Sequence, residues 1–304
     1  MNSLKEKILQ IKKNKKAVIL SHTYQPGEIQ DMADFVGDSY GLSVQATNIK
    51  KADLIIFCGV KFMAETAAIL SPDKKVIMPS EEAGCPMADM ITPDELIEVK
   101  AKYPDYLVMC YVNSTAEIKA LSDICCTSSN ALKIAAQIPD EKGIIFIPDK
   151  HLGGWVKEKT GHKMVLWDGF CPTHAFIKPE TVEEVRKKHP SATLLIHPEA
   201  PKQSRDLADA VLSTGGMCEY VKNNTQNEYI IATETGIIHT LMTRNPDKKF
   251  YPLNDSIICP NMKMGSLQSL YEALSGEGGV HVKVSEDIAD KAISALEKMI
   301  EMSK

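Results

Sequence analysis

Shifted by 86 positions, the segment TPDELIEVKAKYPDYLVM from Thr92 falls on KPETVEEVRKKHPSATLLI from Lys178. Pro93 then lies over Pro179, Glu98 over Glu184, Val99 over Val185, Lys102 over Lys188 and Pro104 over Pro190. The same shift carries Cys85-Pro86 onto Cys171-Pro172, and a third Cys-Pro, Cys259-Pro260, follows 88 residues later. An internal period of this length means the fold is built from copies of one supersecondary unit. Each copy opens with a short apolar run, AVIL from Ala17, YLVMC from Tyr106 and TLLI from Thr193, and continues with β-type runs separated by helical stretches. Strands alternating with helices predict parallel sheets covered by helices, hence an α/β chain. The repeat divides it into three similar units, 1–104, 105–190 and 191–304, expected in pseudo-threefold arrangement. A closing amphipathic helix is expected behind Ser285, with Ile288, Ala292, Ile293, Leu296, Met299 and Ile300 on one face.

Ligands of parallel sheets bind beyond the carboxyl ends of the strands. Superposing the first strands puts His22 with Tyr111 and His197, and Tyr24 with Asn113 and Glu199. Each is a pair at i and i+2, on one side of a strand. The shifts of 89 and 86 also bring Ser39 onto Ser128 and Thr214, hydroxyls in short turns before helical segments, where backbone N–H groups favour anions. A Cys before Pro is usually a small buried residue. Recurrence at one place in three units instead favours ligation by Cys85, Cys171 and Cys259. Three thiolates are one short of a structural zinc site but suit an iron–sulfur cubane with one open iron, a Lewis acid for substrate oxygen. Cys58, Cys110, Cys125, Cys126 and Cys218 lack the period and are expected in the core.

With 304 residues and a net charge of -5, the chain has no basic stripe, which argues against a nucleic-acid or membrane surface. No apolar run reaches the ~18 residues of a membrane span. MNSLKEKILQIKKNKK reads as a surface helix rather than an export signal, and eight cysteines without a disulfide-like pattern fit the cytoplasm.

The motifs SHTYQ, DFVGDS, GVKFMAE, GCPMADMITP, YVNST, CTSSNA, FCPTHAF, IHPEAP, STGGM, TETGIIHTL and CPNMK stand in the order and spacing of one family. Over almost its whole length the chain resembles the quinolinate synthases. The resemblance implies three-layer αβα domains around a central 4Fe-4S cluster held by Cys85, Cys171 and Cys259. It implies condensation of iminoaspartate with dihydroxyacetone phosphate to quinolinate, in NAD biosynthesis, with loss of phosphate and two waters. Carried onto this chain, it makes His22, Tyr24, His197 and Glu199 catalytic, and makes Tyr111, Asn113 and His174 pocket residues. Ser39, Ser128, Ser213 and Thr214 would hold carboxylates and phosphate, and the open iron would assist dehydration. Transient contact with an aspartate-oxidising enzyme would supply the imine. Ala200 stands after His-Pro-Glu where many relatives have cysteine, and the extra cysteine cluster that some relatives carry near the C-terminus is missing.

Two other classes fit a three-cysteine threefold chain. A hydroxymethylbutenyl diphosphate reductase would need electrons and a diphosphate pocket. A non-catalytic iron–sulfur sensor would leave the polar strand tips without a task. Neither a G-x-G-x-x-G nor a P-loop pattern is present, so nucleotide-dependent chemistry lacks support.

Overall fold

The computed structural model describes residues 3–304. Thirteen strands form three sheets among the described residues. The first holds β1 (Ala17–His22), β2 (Phe35–Gly37), β3 (Leu54–Cys58) and β4 (Lys75–Met78). The second holds β5 (Leu107–Tyr111), β6 (Ile124–Cys126), β7 (Ile144–Ile147) and β8 (Met164–Leu166). The third holds β9 (Thr193–Ile196), β10 (Ala210–Val211), β11 (Glu228–Ala232) and β12 (Lys249–Pro252). In every sheet the unit's second strand lies at one edge, followed by its first, third and fourth, all parallel. The register is equally regular, with Ala17 opposite Leu54, Leu107 opposite Ile144 and Thr193 opposite Tyr229.

Side chains at successive strand positions point to opposite faces. Ile19 and Leu20, Val108 and Met109, and Leu194 and Leu195 are all fully buried, so each sheet is covered on both sides. This is why the first strands read as unbroken apolar runs. A second periodic device pins their starts. Asp34, Asp123 and Asp209, spaced by the repeat, each accept a backbone N–H from the first strand, from Ile19, Val108 and Leu194, at 2.7–2.8 Å. Each of these aspartates also returns its own N–H to the carbonyl of the same strand residue.

The C-terminal stretch folds back onto the earlier units. The helix Leu267–Ser275 packs on the helix Leu4–Asn14, and β13 (Val280–His281) adds antiparallel to β4, with Val280 opposite Met78. The closing helix, Glu286–Glu301, buries Ala292, Ala295, Leu296 and Met299 against the helix Ala116–Ala120 and β6. Ser285 stands at its N-cap but makes no side-chain capping bond. The first helix is held by a capping box between Ser3 and Glu6. Among the described residues, no helix is long and apolar enough to cross a membrane.

Candidate functional site

With this strand order the chain leaves the first strand of each unit in one direction and the third in the other. Their carboxyl ends therefore flank a crevice that neither neighbour's connection covers. The crevices open into one cavity. His22 and Tyr24 enter it from the end of β1, Tyr111 and Asn113 from the end of β5, and His197 and Glu199 from just beyond β9. His174, Ser39, Ser128 and Thr214 also line it, as do Cys85, Cys171 and Cys259. Ser213 does not. Its hydroxyl caps the helix Thr214–Asn223 by accepting the Gly216 N–H at 3.0 Å, and lies 2.9 Å from the Ser129 hydroxyl, whose own proton goes to Asp38.

The polar groups form a continuous chain of hydrogen bonds. Thr214 Oγ1 lies 2.7 Å from the Tyr24 hydroxyl, which lies 2.6 Å from Thr233 Oγ1. Thr233 Oγ1 is 2.7 Å from His174 Nε2, and His174 Nδ1 is 2.6 Å from Glu199 Oε2. The other oxygen, Glu199 Oε1, accepts the Tyr111 hydroxyl at 2.5 Å. Tyr24, His174, Glu199 and Tyr111 are all buried, so this relay is shielded from bulk water.

Charge is distributed by the same contacts. Burial opposes the Glu199 carboxylate, but His197, His174 and the two side-chain hydrogen bonds outweigh it and hold its pKa well below the usual range. Burial, reinforced by Glu199, keeps the Tyr111 phenol protonated far above its ordinary range. Burial does the same for Tyr24 against the pull of its two threonine partners. Burial also drives His22 and His197 down to about 3, so both rings are neutral near pH 7. Their tautomers follow from local geometry. The Tyr24 N–H donates to His22 Nδ1 at 3.1 Å and the Glu199 N–H to His197 Nδ1 at 3.3 Å, leaving Nε2 as the protonated nitrogen. Asn113 Oδ1 is a buried acceptor with no hydrogen-bond partner among the described residues, and Asn113 lines the cavity a ligand would fill.

The expected ligand set of three thiolates is corrected. The ligand atoms that lie within 4.8 Å of one another belong to Cys171, His174 and Glu199: one thiol, one imidazole and one carboxylate. Cys85 and Cys259 share the cavity but not that group. Burial pushes the Cys85 thiol up to about 12 and raises Cys171 and Cys259 as well. At two of the three Cys-Pro positions the dipeptide has a backbone role. Cys171 and Cys259 are the N-cap residues of the short helical turns Pro172–Ala175 and Pro260–Lys263, with proline at the first position, where its missing N–H costs nothing. The contacts within the Cys171–His174–Glu199 group are those of a hydrogen-bonded cluster, with His174 Nδ1 3.2 Å from the Cys171 sulfur.

Several functional side chains escaped the sequence reading. Thr233 completes the relay from the end of β11, and Asp149 and Glu234 stand beyond β7 and β11. Asp149 Oδ2 accepts the Cys171 N–H at 3.0 Å, and Glu234 Oε1 accepts the Cys259 N–H at 3.2 Å. Glu234 is fully buried and paired at 2.8 Å with Lys263, whose ammonium also donates to the Tyr24 carbonyl. At the other end of the cavity Asp38 caps the helix Ser39–Asn48 through the Gly41 N–H and accepts from the Ser129 hydroxyl. Superposing third strands as well as first would have brought Asp149 onto Glu234.

Comparison with known proteins agrees with this architecture. The family model for quinolinate synthetase A protein, NadA, matches residues 6–301. A quinolinate synthase of Dehalococcoides mccartyi strain CBDB1 is 50% identical over 297 residues, covering 98% of this chain and 97% of the relative. Those of Caldicellulosiruptor bescii and Clostridium acetobutylicum are 48% and 47% identical over 300 residues, each covering 98% of both chains. A match of this extent and continuity leaves no unit of the repeat outside the alignment, and the chain belongs to the NadA family of quinolinate synthetase A proteins.

Proposed function

We propose that the chain is a quinolinate synthase that joins iminoaspartate to dihydroxyacetone phosphate and closes the pyridine ring, releasing phosphate and two waters, for NAD synthesis in the cytoplasm. The observation that carries the reading is the convergence of His22 with Tyr24, Tyr111 with Asn113, and His197 with Glu199 on one cavity. We infer that units 1–104, 105–190 and 191–304 surround it in pseudo-threefold arrangement, a reading supported by their common strand order.

Both substrates are anionic, while the protein carries a net charge of -5. Their carboxylates and phosphate must therefore be held by local donors, a task suited to the hydroxyls of Ser39, Ser128 and Thr214 in turns that open helices. Glu199, ionised beside protonated Tyr111, is placed to take a proton from the triose as the ketone isomerises to an aldehyde. Neutral His22 and His197 offer Nε2–H groups to the carbonyl oxygen on which charge develops. Tyr24, joined to Glu199 through Thr233 and His174, is suited to return that proton during condensation or loss of water. The unpartnered Asn113 oxygen would accept the imine N–H. An imine hydrolyses readily in water, so an aspartate-oxidising reaction must supply it close by.

The test is incubation of the purified chain with freshly generated iminoaspartate and dihydroxyacetone phosphate, with quinolinate quantified by chromatography and mass. Glu199→Gln should lower kcat by ~10²–10⁴-fold while the melting temperature holds. Absence of quinolinate from the wild-type chain would overturn the assignment.

A further inference from the structure

Three buried polar side chains of different types occupy one place in the three units. The shifts of 89 and 86 carry Gln30 onto Lys119 and Arg205, which are 5%, 0% and 5% exposed. Each reaches into the loop that follows its own unit's first strand. Gln30 Nε2 donates to the carbonyls of Thr23 at 2.9 Å and Gln25 at 2.8 Å, the residues on either side of Tyr24. Arg205 Nη1 donates to Pro198 at 3.2 Å and Ala200 at 2.6 Å, on either side of Glu199. Lys119 Nζ donates to Ser114 at 2.5 Å, next to Asn113. The five carbonyls stand at equivalent loop positions.

Each side chain also grips a neighbouring unit. The same Gln30 Nε2 lies 3.0 Å from the Gly236 carbonyl and the same Arg205 Nη1 lies 3.2 Å from the His151 carbonyl, each sharing two hydrogens among three carbonyls, while Lys119 Nζ donates to Phe62 at 3.4 Å. Gly236, Phe62 and His151 each lie four residues beyond the end of their unit's third strand, β11, β3 and β7. The contacts run in a ring, first unit to third, second to first and third to second. Buried carbonyls need donors, and isolated donors of this kind would be ordinary. Three chemically different donors satisfying equivalent carbonyls, each bracketing or abutting a cavity residue and each crossing to the next unit, are a shared device.

We propose that Gln30, Lys119 and Arg205 are positioning residues for the synthase reaction, a ring of clamps fixing each polar strand tip against the adjacent unit's third-strand loop. The inference rests on the functional reading above. A displacement of about 1 Å at a reacting group can cost ~100-fold in rate. The clamps act on the peptide units next to Tyr24 and Glu199, so their loss is felt in kcat rather than in substrate binding.

The decisive experiment is a double-mutant cycle on kcat with Gln30→Met and Tyr24→Phe. Gln30→Met removes the donor without leaving a charge. It is expected to lower kcat ~10–100-fold with KM changed less than about threefold. Tyr24→Phe should then cost far less in the Gln30→Met background than in the wild type, because the tyrosine is already misplaced. Losses that multiply within about twofold, or a Gln30→Met variant with wild-type kcat, would overturn the proposal. Thr240→Val provides a second route. Its hydroxyl fixes Gln30 Oε1 at 2.5 Å and touches neither loop, so it should reproduce a weaker form of the same coupling. If neither variant folds, the role is structural and the proposal fails. A wild-type chain that makes no quinolinate refutes the reaction instead, and backbone amide exchange then decides the clamp. Gln30→Met should quicken exchange across residues 22–25 and leave 111–114 at wild-type rates; unchanged exchange, or equal quickening in both loops, overturns it.

Discussion

Replacing Lys263 by methionine isolates the cost of one buried charge beside the cavity. Glu234 is completely buried, and its carboxylate keeps two backbone donors after the substitution, Gly236 at 2.7 Å and Cys259 at 3.2 Å. What disappears is its counter-charge, 2.8 Å away, together with the donor to the Tyr24 carbonyl. Removing one member of a buried pair typically costs about 3–5 kcal/mol, because the remaining ion stays desolvated. The Lys263 side chain is 26% exposed, so water reaches its side of the pair, and the two retained N–H donors soften the loss. The expected cost is therefore near the lower limit, about 3 kcal/mol. At about 2 °C per kcal/mol for a chain of this size, the melting temperature should fall by about 6 °C.

The double variant Glu234→Gln/Lys263→Met controls for lost packing. It carries no buried ion, and its single amide oxygen still accepts one of the two N–H groups, of Gly236 or Cys259, while the other loses its acceptor. It should recover part of the lost melting temperature in calorimetry while the Tyr24 carbonyl remains without its ammonium. A Lys263→Met variant that melts within about 1 °C of the wild type would refute the charge argument. So would a double variant no more stable than the single one, since the penalty would then lie in side-chain packing.

Further expectations follow from the same contacts. His22 and His197 hold folded pKa values of about 3 against 6.5 when unfolded, so the unfolded chain binds more protons between those values. Stability should fall as pH drops from 6.5 towards 3, by up to about 1.4 kcal/mol per pH unit for each ring. His197→Gln should flatten that acid limb in urea titrations, and an unchanged slope would contradict it. Burial and Glu199 raise Asp149 well above the carboxylate range, and its two oxygens accept the N–H groups of Leu152 and Cys171. Asp149→Asn keeps one acceptor and should cost about 1 kcal/mol, whereas Asp149→Ala strands both N–H groups and should cost about 2 kcal/mol; equal losses for the two variants would refute the hydrogen-bond argument. Ser128→Ala should raise KM for the phosphate-bearing substrate ~10-fold, more than for the imine, with kcat little changed. Equal effects on both substrates would remove Ser128 from phosphate binding.

Much of the site was legible because its parts repeat as like residues. Apolar first strands, hydroxyls at helix starts and polar residues two apart all survive superposition of the units, and the structure brings Ser39, Ser128 and Thr214 to one cavity. The pairs His22 and Tyr24, Tyr111 and Asn113, and His197 and Glu199 arrive there too. Ser213 was misplaced because a hydroxyl that caps a helix and one that faces a ligand look the same one residue apart. The third-strand residues Asp149, Thr233 and Glu234 were hidden because strand order, which sets their ends beside those of the first strands, leaves no mark in the sequence, so nothing singled out the shift of 85 that pairs Asp149 with Glu234. The cysteines taught the opposite lesson. Their recurrence was read as shared ligation, whereas Cys-Pro at Cys171 and Cys259 is also how the chain starts a helical turn.

Gln30, Lys119 and Arg205 explain why identity is the wrong measure of such a repeat. What each unit conserves is the location of a long side chain with N–H donors, not its type, because carbonyl acceptors impose only direction and length. The charge is then free to follow the surroundings. Lys119 is buried beside Glu65, whereas Gln30 sits under a hydroxyl from Thr240 and carries no charge. A neutral amide suffices there to reach the carbonyls of Thr23 and Gln25. Aspartates 34, 123 and 209 kept their identity because their task, two lone pairs for one strand N–H from a fixed short reach, admits few substitutes. In this chain the position that requires a donor alone has changed residue type in every unit, and it is also where the units hold one another in place.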